Sequence, residues 1–285
     1  MATNISSLNT ANNHLFNEII VEAQYTAQEN SIMRPLVNMY PVANAVGNIV
    51  QIPKFDTFTA RTGAEGVDLA GTNAEQDLGT TLLPTITMAE SAVMTLLTDD
   101  AVETMPNYNL AAEIGKILGM EMAEKFDEDA MSKFANFTTN TLDVSATVLD
   151  AEALFKAAAL LRIQKASGQM VGVFHPAAVF ELKRQLSSAG ATELGALSNV
   201  GNSALTSGLV GQIAGITIFE STLVGATGGV FTLDALGGAM KRDVRLETER
   251  DASKRATEIV GSAVWGFNAV KEENGVAITT RTAIV

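Results

Sequence analysis

Between Asn109 and Phe137 the apolar residues Leu110, Ile114, Ile117, Leu118, Met122, Phe126, Ala130, Phe134 and Phe137 recur mostly at steps of four. That spacing predicts one long helix. A helix has ~3.6 residues per turn, so steps of four overshoot each turn by about 40°. The apolar stripe therefore winds around the rod, and the helix should meet different neighbours along its length. Asn109 is placed to cap it, and Pro106 stops a helix from running in from upstream. At ~1.5 Å per residue the rod would be about 40 Å long, well above the usual helix of ~11–12 residues. The rest of the chain has to be arranged around it.

Upstream, residues 1–12 are polar and rich in Asn, and Leu15, Phe16, Ile19, Ile20, Ala23 and Ala27 predict a helix over 13–30. Arg34-Pro35 and Tyr40-Pro41 favour extended backbone. This arm has no evident core of its own. Residues 46–60 and 82–98 read as the two strands of a ribbon, with Pro53 and Pro84 one in each. The intervening 61–81 carries Gly63, Gly66, Gly71 and Gly79 together with Glu65, Asp68, Glu75 and Asp77, and Arg61 is its one basic residue. A lone ribbon is marginal in water. Its apolar residues Val46, Val50, Ile52, Ile86, Met88 and Val93 are expected to lie on a neighbouring subunit, with the acidic tip against a basic patch there.

Downstream, Asp150 caps a helix running to about Ser167, Met170–Phe174 is a strand, and Pro176 opens a helix to about Ser188. Residues 189–208 read as a loop, and Val210–Glu220 and Gly229–Leu233 as strands. A second ribbon is expected over 241–270 and a last strand over Gly275–Val285. The segment 241–255 holds Lys241, Arg242, Arg245, Arg250, Lys254 and Arg255, six of the nineteen basic residues in the chain, interleaved with Asp243, Glu247, Glu249 and Asp251. Mixed sign points to ion pairing between strands or subunits rather than to a nucleic-acid surface.

Composition narrows the chemistry. The chain has no Cys, which removes disulfides, thiolate metal sites and thiol nucleophiles. The net charge of −13 opposes phosphate binding, which needs Lys and Arg to neutralise it. A basic-then-apolar leader and an apolar run long enough to span a membrane are both missing. Phosphate-loop, nucleophile-elbow, dinucleotide and zinc-protease patterns do not occur. His14 lies in the arm and His175 precedes Pro176, and a surface or capping role is expected of each. Asp127, Glu128 and Asp129 are consecutive on the long helix, point in different directions and read as a solvated face. Asp99-Asp100 reads as the cap of a short helix over 101–105. Catalytic, cofactor and metal residues are therefore assigned to none.

The order of these parts resembles the major capsid protein of tailed bacteriophages, the Hong Kong 97 fold. Leu97–Phe134 (LTDDAVETMPNYNLAAEIGKILGMEMAEKFDEDAMSKF) is similar to the family's short acidic helix, proline and spine helix. Residues 171–186 and 211–224 resemble parts of its axial domain, and 242–279 its closing ribbon and last strand. The resemblance implies an α+β subunit with an N-terminal arm (1–45) and an extended two-stranded loop (46–98). It further implies a peripheral domain with the spine helix (99–147), an axial domain (148–238), a peripheral ribbon (239–270) and a C-terminal strand returning to the axial domain (271–285). It implies self-assembly as pentamers and hexamers into an icosahedral shell around double-stranded DNA, formed in the host bacterial cytoplasm. Expected partners are a scaffolding protein, a portal and a cement or decoration protein, with no membrane. The start at Met1, only about 45 residues before the extended loop, favours a separate scaffolding protein. Encapsulin-like nanocompartment shells resemble the same fold and are the alternative, and an enzyme with an unrecognised site is a further one. Candidate intersubunit residues are Arg61, Glu65, Asp68, Glu75 and Asp77 in the loop. In the ribbon they are Lys241, Arg242, Arg245, Glu247, Glu249, Arg250, Asp251, Lys254 and Arg255.

Overall fold

The computed structural model describes residues 31–42, 47–53, 65–66, 84–104, 110–190 and 212–284. In chain order the elements begin with strands β1 (Asn38–Pro41), β2 (Ile49–Gln51), β3 (Thr85–Thr87) and β4 (Ala89–Thr98). Helices α1 (Asp99–Thr104) and α2 (Leu110–Met131) follow, then β5 (Thr141–Asp143), α3 (Ala151–Ile163), β6 (Met170–Phe174) and α4 (Pro176–Gly190). The chain continues through β7 (Gln212–Ile213), β8 (Ile216–Glu220), β9 (Thr227–Thr232), β10 (Leu236–Asp251), β11 (Ala256–Ala269) and β12 (Gly275–Thr279).

Two larger sheets flank α2. One has four strands in the order β1-β10-β11-β4, and the other six in the order β5-β12-β9-β6-β8-β7. The winding stripe meets each in turn. Leu118 packs with Ile259, with Ile114, Val93, Leu97 and Leu246 around them. A little over two turns on, Phe126 stands edge-on to both Trp265 and Phe267, at ring-centroid distances of 5.4 and 4.8 Å. At the far end Phe134 and Phe137, both fully buried, lie against Phe231 of β9. The ring of Phe137 lies so close to β12 that a Cβ on Gly275 would come within 2.4 Å of it.

That last contact explains a departure from the expected helix. The α-helix stops at Met131, and Ser132–Asn136 continues as a 3-10 turn. A 3-10 turn has three residues per turn. It therefore brings Phe134 and Phe137 onto one side, where an α-helix would offset them by about 60°.

Behind the six-stranded sheet, α3 and α4 bury Leu154, Leu161, Val179 and Leu182 against Ile216, Val230, Val276 and Ile278. Asp150 caps α3 as expected, accepting from the amide of Ala153 at 2.7 Å. The helix ends at Ile163 rather than near Ser167. Ala166 N donates to Leu161 O and Lys165 N to Arg162 O, with Lys165 at φ 58°, which is the paired-bond helix stop usually built on glycine. Val210–Glu220 is likewise not one strand. Ala214 and Gly215 both take positive φ (56° and 85°) and fold it into a tight hairpin between β7 and β8. The final strand ends at Thr279, short of the expected Val285.

The first ribbon departs most from the sequence reading. The stretch 82–98 divides at Met88. Its first part, β3, pairs with β2 over Ile49↔Thr87 to Gln51↔Thr85, while β4 pairs with β11 from Ala256↔Thr98 to Trp265↔Ala89. Pro53 and Pro84 flank the register, and the Pro84 carbonyl extends it by accepting from Ile52 N at 3.0 Å. Ile52, Ile86 and Met88, expected to be covered by a neighbour, are buried beside Ala239 and Val270 of the same chain. The arm is also partly anchored. Met33, Leu36 and Val37 are buried in the core that holds Phe126, Arg34-Pro35 lies in a turn closed by Leu36 N to Met33 O, and β1 pairs parallel with β10. Parallel pairing to an interior strand supplied the missing surface, and it is non-local, so no residue near 38–41 announces it.

Candidate intersubunit surfaces

The second ribbon is the longest pairing in the molecule's described part, with β10 and β11 in antiparallel register from Leu236↔Ala269 to Asp251↔Ala256. Its charged outer half is thus strand, and only 252–255 turn. Asp251 builds that turn. Its carboxylate accepts from Ser253 Oγ at 2.7 Å, Ser253 N at 2.9 Å and Lys254 N at 3.3 Å, and these bonds, the Ser253 hydroxyl foremost, lower its pKa to about 2. Lys254 Nζ bridges Glu258 (2.7 Å) and Asp251 (3.3 Å), with Glu258 first in holding its ammonium above the usual range. Arg255 closes the turn at φ 49°, and its carbonyl accepts from Asp99 N.

The other cations are tied to flanking elements. Arg250 grips Asp99 at the start of α1 through two bonds of 2.7 and 2.6 Å, a bidentate pair that depresses the Asp99 pKa and raises its own. Arg242 donates to Glu90 on β4 and to Ser262 Oγ on β11. Lys241 donates to Gly47 O and Asn48 Oδ1 beside β2, and Arg245 pairs with Glu247 at 2.9 Å. Pairing between strands is therefore present within one subunit. The pairs are largely exposed, so each adds little to stability. Glu249 stands opposite Glu258 in the register, a like-charge pair that the Lys254 bridge relieves on one side.

In the loop, Glu65 lies in an exposed turn at 65–66, while Arg61, Asp68, Glu75 and Asp77 lie outside the described residues, as do His14, the helix expected over 13–30, Lys54 and all of the expected loop 189–208 but its first two residues, which end α4. His175 has the expected capping role, its Nδ1 accepting from Ala177 N at 3.2 Å. Among the described residues no three His, Cys, Asp or Glu side chains are grouped to hold a metal ion, and no helix is long and apolar enough to cross a membrane.

The solvated-face reading of residues 127–129 is wrong for Asp127 and holds only in part for Asp129. Asp127 is 3% exposed and accepts from Ser31 Oγ (2.6 Å), Ile32 N (2.8 Å) and Met33 N (3.1 Å). Burial raises its pKa, against those three bonds. Asp129 accepts from Trp265 Nε1 at 3.0 Å and pairs with Lys125 at 3.0 Å. Glu128 is exposed and Asp129 half-buried. Asp127 directly follows Phe126 on the stripe, and that adjacency is the one local sign of its burial.

Residues 83–279, well over half of the chain, match the family model described as phage capsid protein. The fold is that of virus and virus-like shells. The chain is similar to the capsid of cyanophage P-SCSP1u (16% identity, 89% of each chain covered, TM-score 0.65). It is also similar to a structure of Mycobacterium phage Che8 (18% identity, 87% of this chain and 91% of that one, TM-score 0.63). A virus-like particle from Pyrococcus furiosus matches at 9% identity, over 92% of this chain and 98% of that one, with a TM-score of 0.62. No curated protein sequence matches the chain. The chain belongs to the phage capsid protein family, whose role is structural.

Proposed function

We propose that the chain, as the major capsid protein of a tailed phage, self-assembles as pentamers and hexamers into an icosahedral shell that encloses double-stranded DNA. The observation that carries this reading is the family match across 83–279, which spans the central helix, the six-stranded sheet, three of the four strands of the other sheet and the charged ribbon. The charge of −13 agrees with a container that holds DNA without binding it tightly. The archaeal virus-like particle shares the fold only, so an encapsulin-like cargo shell gains no separate support from it. The chain acts without catalysis, in the host cytoplasm during assembly and in the virion afterwards, alongside a scaffolding protein, a portal and a cement or decoration protein.

The subunit divides, on this reading, into the arm, extended loop, peripheral, axial and ribbon regions set out above. Residues of the extended loop reach an adjacent subunit from a base held in their own subunit by Ile52, Ile86 and Met88. The charged ribbon meets a symmetry-related copy through Arg245, Glu247, Glu249 and Arg255 and through exchange of the pairs made by Arg250 and Lys254. Sizing and light scattering on the purified chain test the proposal. Rings or closed shells that grow with concentration are expected, and a monomer stable at high concentration contradicts it.

A further inference from the structure

Three hydrogen bonds in one place tie the start of the described chain to the central helix. The Asp127 carboxylate offers two oxygens and no donor, and it meets three donors, all from residues 31–33. Ser31 Oγ in turn accepts from Arg34 N at 3.2 Å, so one carboxylate orders four consecutive residues across 93 or more positions of sequence. Packing fixes the same segment from the other side. Met33, Leu36 and Val37 share a core with Met122 and Phe126, and the chain passes directly into β1. Next to the junction is a cavity of about 390 Å³ lined by Ile32, Met120, Ala123, Glu220 and Leu223.

A buried carboxylate is a costly way to satisfy a helix-facing turn, because a charge taken from water is favourable only when well bonded. An apolar side chain at 127 would extend the Phe126 core at no such cost but would leave the amides of Ile32 and Met33 without an acceptor. The site thus trades burial cost for a fixed chain direction. We propose that Asp127 is a positioning residue for assembly: it fixes the position and direction of the chain at Ser31–Arg34, and through that anchor the orientation in which the arm meets a neighbouring copy. This rests on the shell-assembly reading.

The test uses the full chain as parent, Asp127→Asn and Ser31→Ala. Asn is nearly isosteric but presents an NH₂ to a site made only of donors, and Ser31→Ala leaves the helix untouched should the first variant fail to fold. Hydrogen exchange is read at the amides of Ile32 and Met33, the fold is monitored by fluorescence of Trp265, the single Trp, and particles are counted by electron microscopy at matched subunit concentration. The expected result is at least tenfold faster exchange at both amides in Asp127→Asn, an unchanged Trp265 signal in Ser31→Ala, and a shift from closed shells to open or misshapen ones in both variants. Closed shells at parental yield and size in both variants, or parental exchange rates in Asp127→Asn, overturn the proposal. Should the parent itself form no shells, the assembly reading falls; faster exchange in Asp127→Asn then still supports the anchor, and unchanged exchange removes it.

Discussion

Asp127 has a pH dependence whose sign is set by its surroundings. Burial raises its pKa over the lowering effect of Ser31, Ile32 and Met33. The charged groups near it are Glu124 and Glu220, which border the same cavity, the Lys125–Asp129 pair on its own helix and the Arg34–Asp243 pair at 3.7 Å. A raised carboxylate pKa means the folded state takes up the proton more readily than the unfolded one. Its contribution is therefore fully present below the ordinary aspartate range and is lost as pH rises through the folded pKa. Urea titrations from pH 4 to 7 should show the parent losing stability relative to Asp127→Asn as pH rises; a difference independent of pH would contradict the assignment. Asp251 has the opposite sign, its contribution to the ribbon turn being lost only as pH falls toward about 2. Gly266 is constrained by contact rather than charge. A Cβ there would sit 2.2 Å from the carbonyl oxygen of Thr87, which is backbone and cannot rotate away. Gly266→Ala should cost about 1–3 kcal/mol or more in thermal or urea unfolding, and a loss below ~0.5 kcal/mol would show that β3 is not held there.

At the level of elements, what the sequence showed and what it hid follow from the range of the interaction. The central helix, α3, β6, α4 and the second ribbon were legible because periodicity, an Asp cap and a first-turn proline act within a few residues. The division of 82–98 at Met88 was not, because both halves carry the same strand pattern and differ only in partner, β2 for one and β11 for the other. The burial of Asp127 was hidden for the same reason, since its donors lie over ninety residues away. Of the candidate contact residues, the ribbon cations were found by their density, and their intrachain partners Asp99, Glu90 and Glu258 were missed. For the ribbon, Arg250→Ala or Arg255→Glu should lower the yield of assembled particles while leaving the melting transition of the subunit nearly unchanged, because exposed pairs contribute little singly but recur at each junction. Equal yields for variant and parent across a salt series would reduce the cluster to a solvated face.

The whole molecule is a subunit built around one helix, with residues 31–41 and the base of the extended loop held in its own core. Replacing residues 62–80 by a short turn should give a folded subunit, since Ile52, Ile86 and Met88 keep their own-chain core, but one that does not close shells. Denaturing gels of mature particles should show single chains: a Lys-to-Asn crosslink from the loop tip to a neighbour would need a lysine there, and Lys54, the only lysine in 46–98, lies before the tip. The most direct test of the account is an electron-microscopy reconstruction of particles formed by the purified chain. It should show closed icosahedral shells of pentamers and hexamers in which the extended loop of each subunit lies on its neighbour; discrete monomers, or oligomers with each loop folded back on its own subunit, would contradict it.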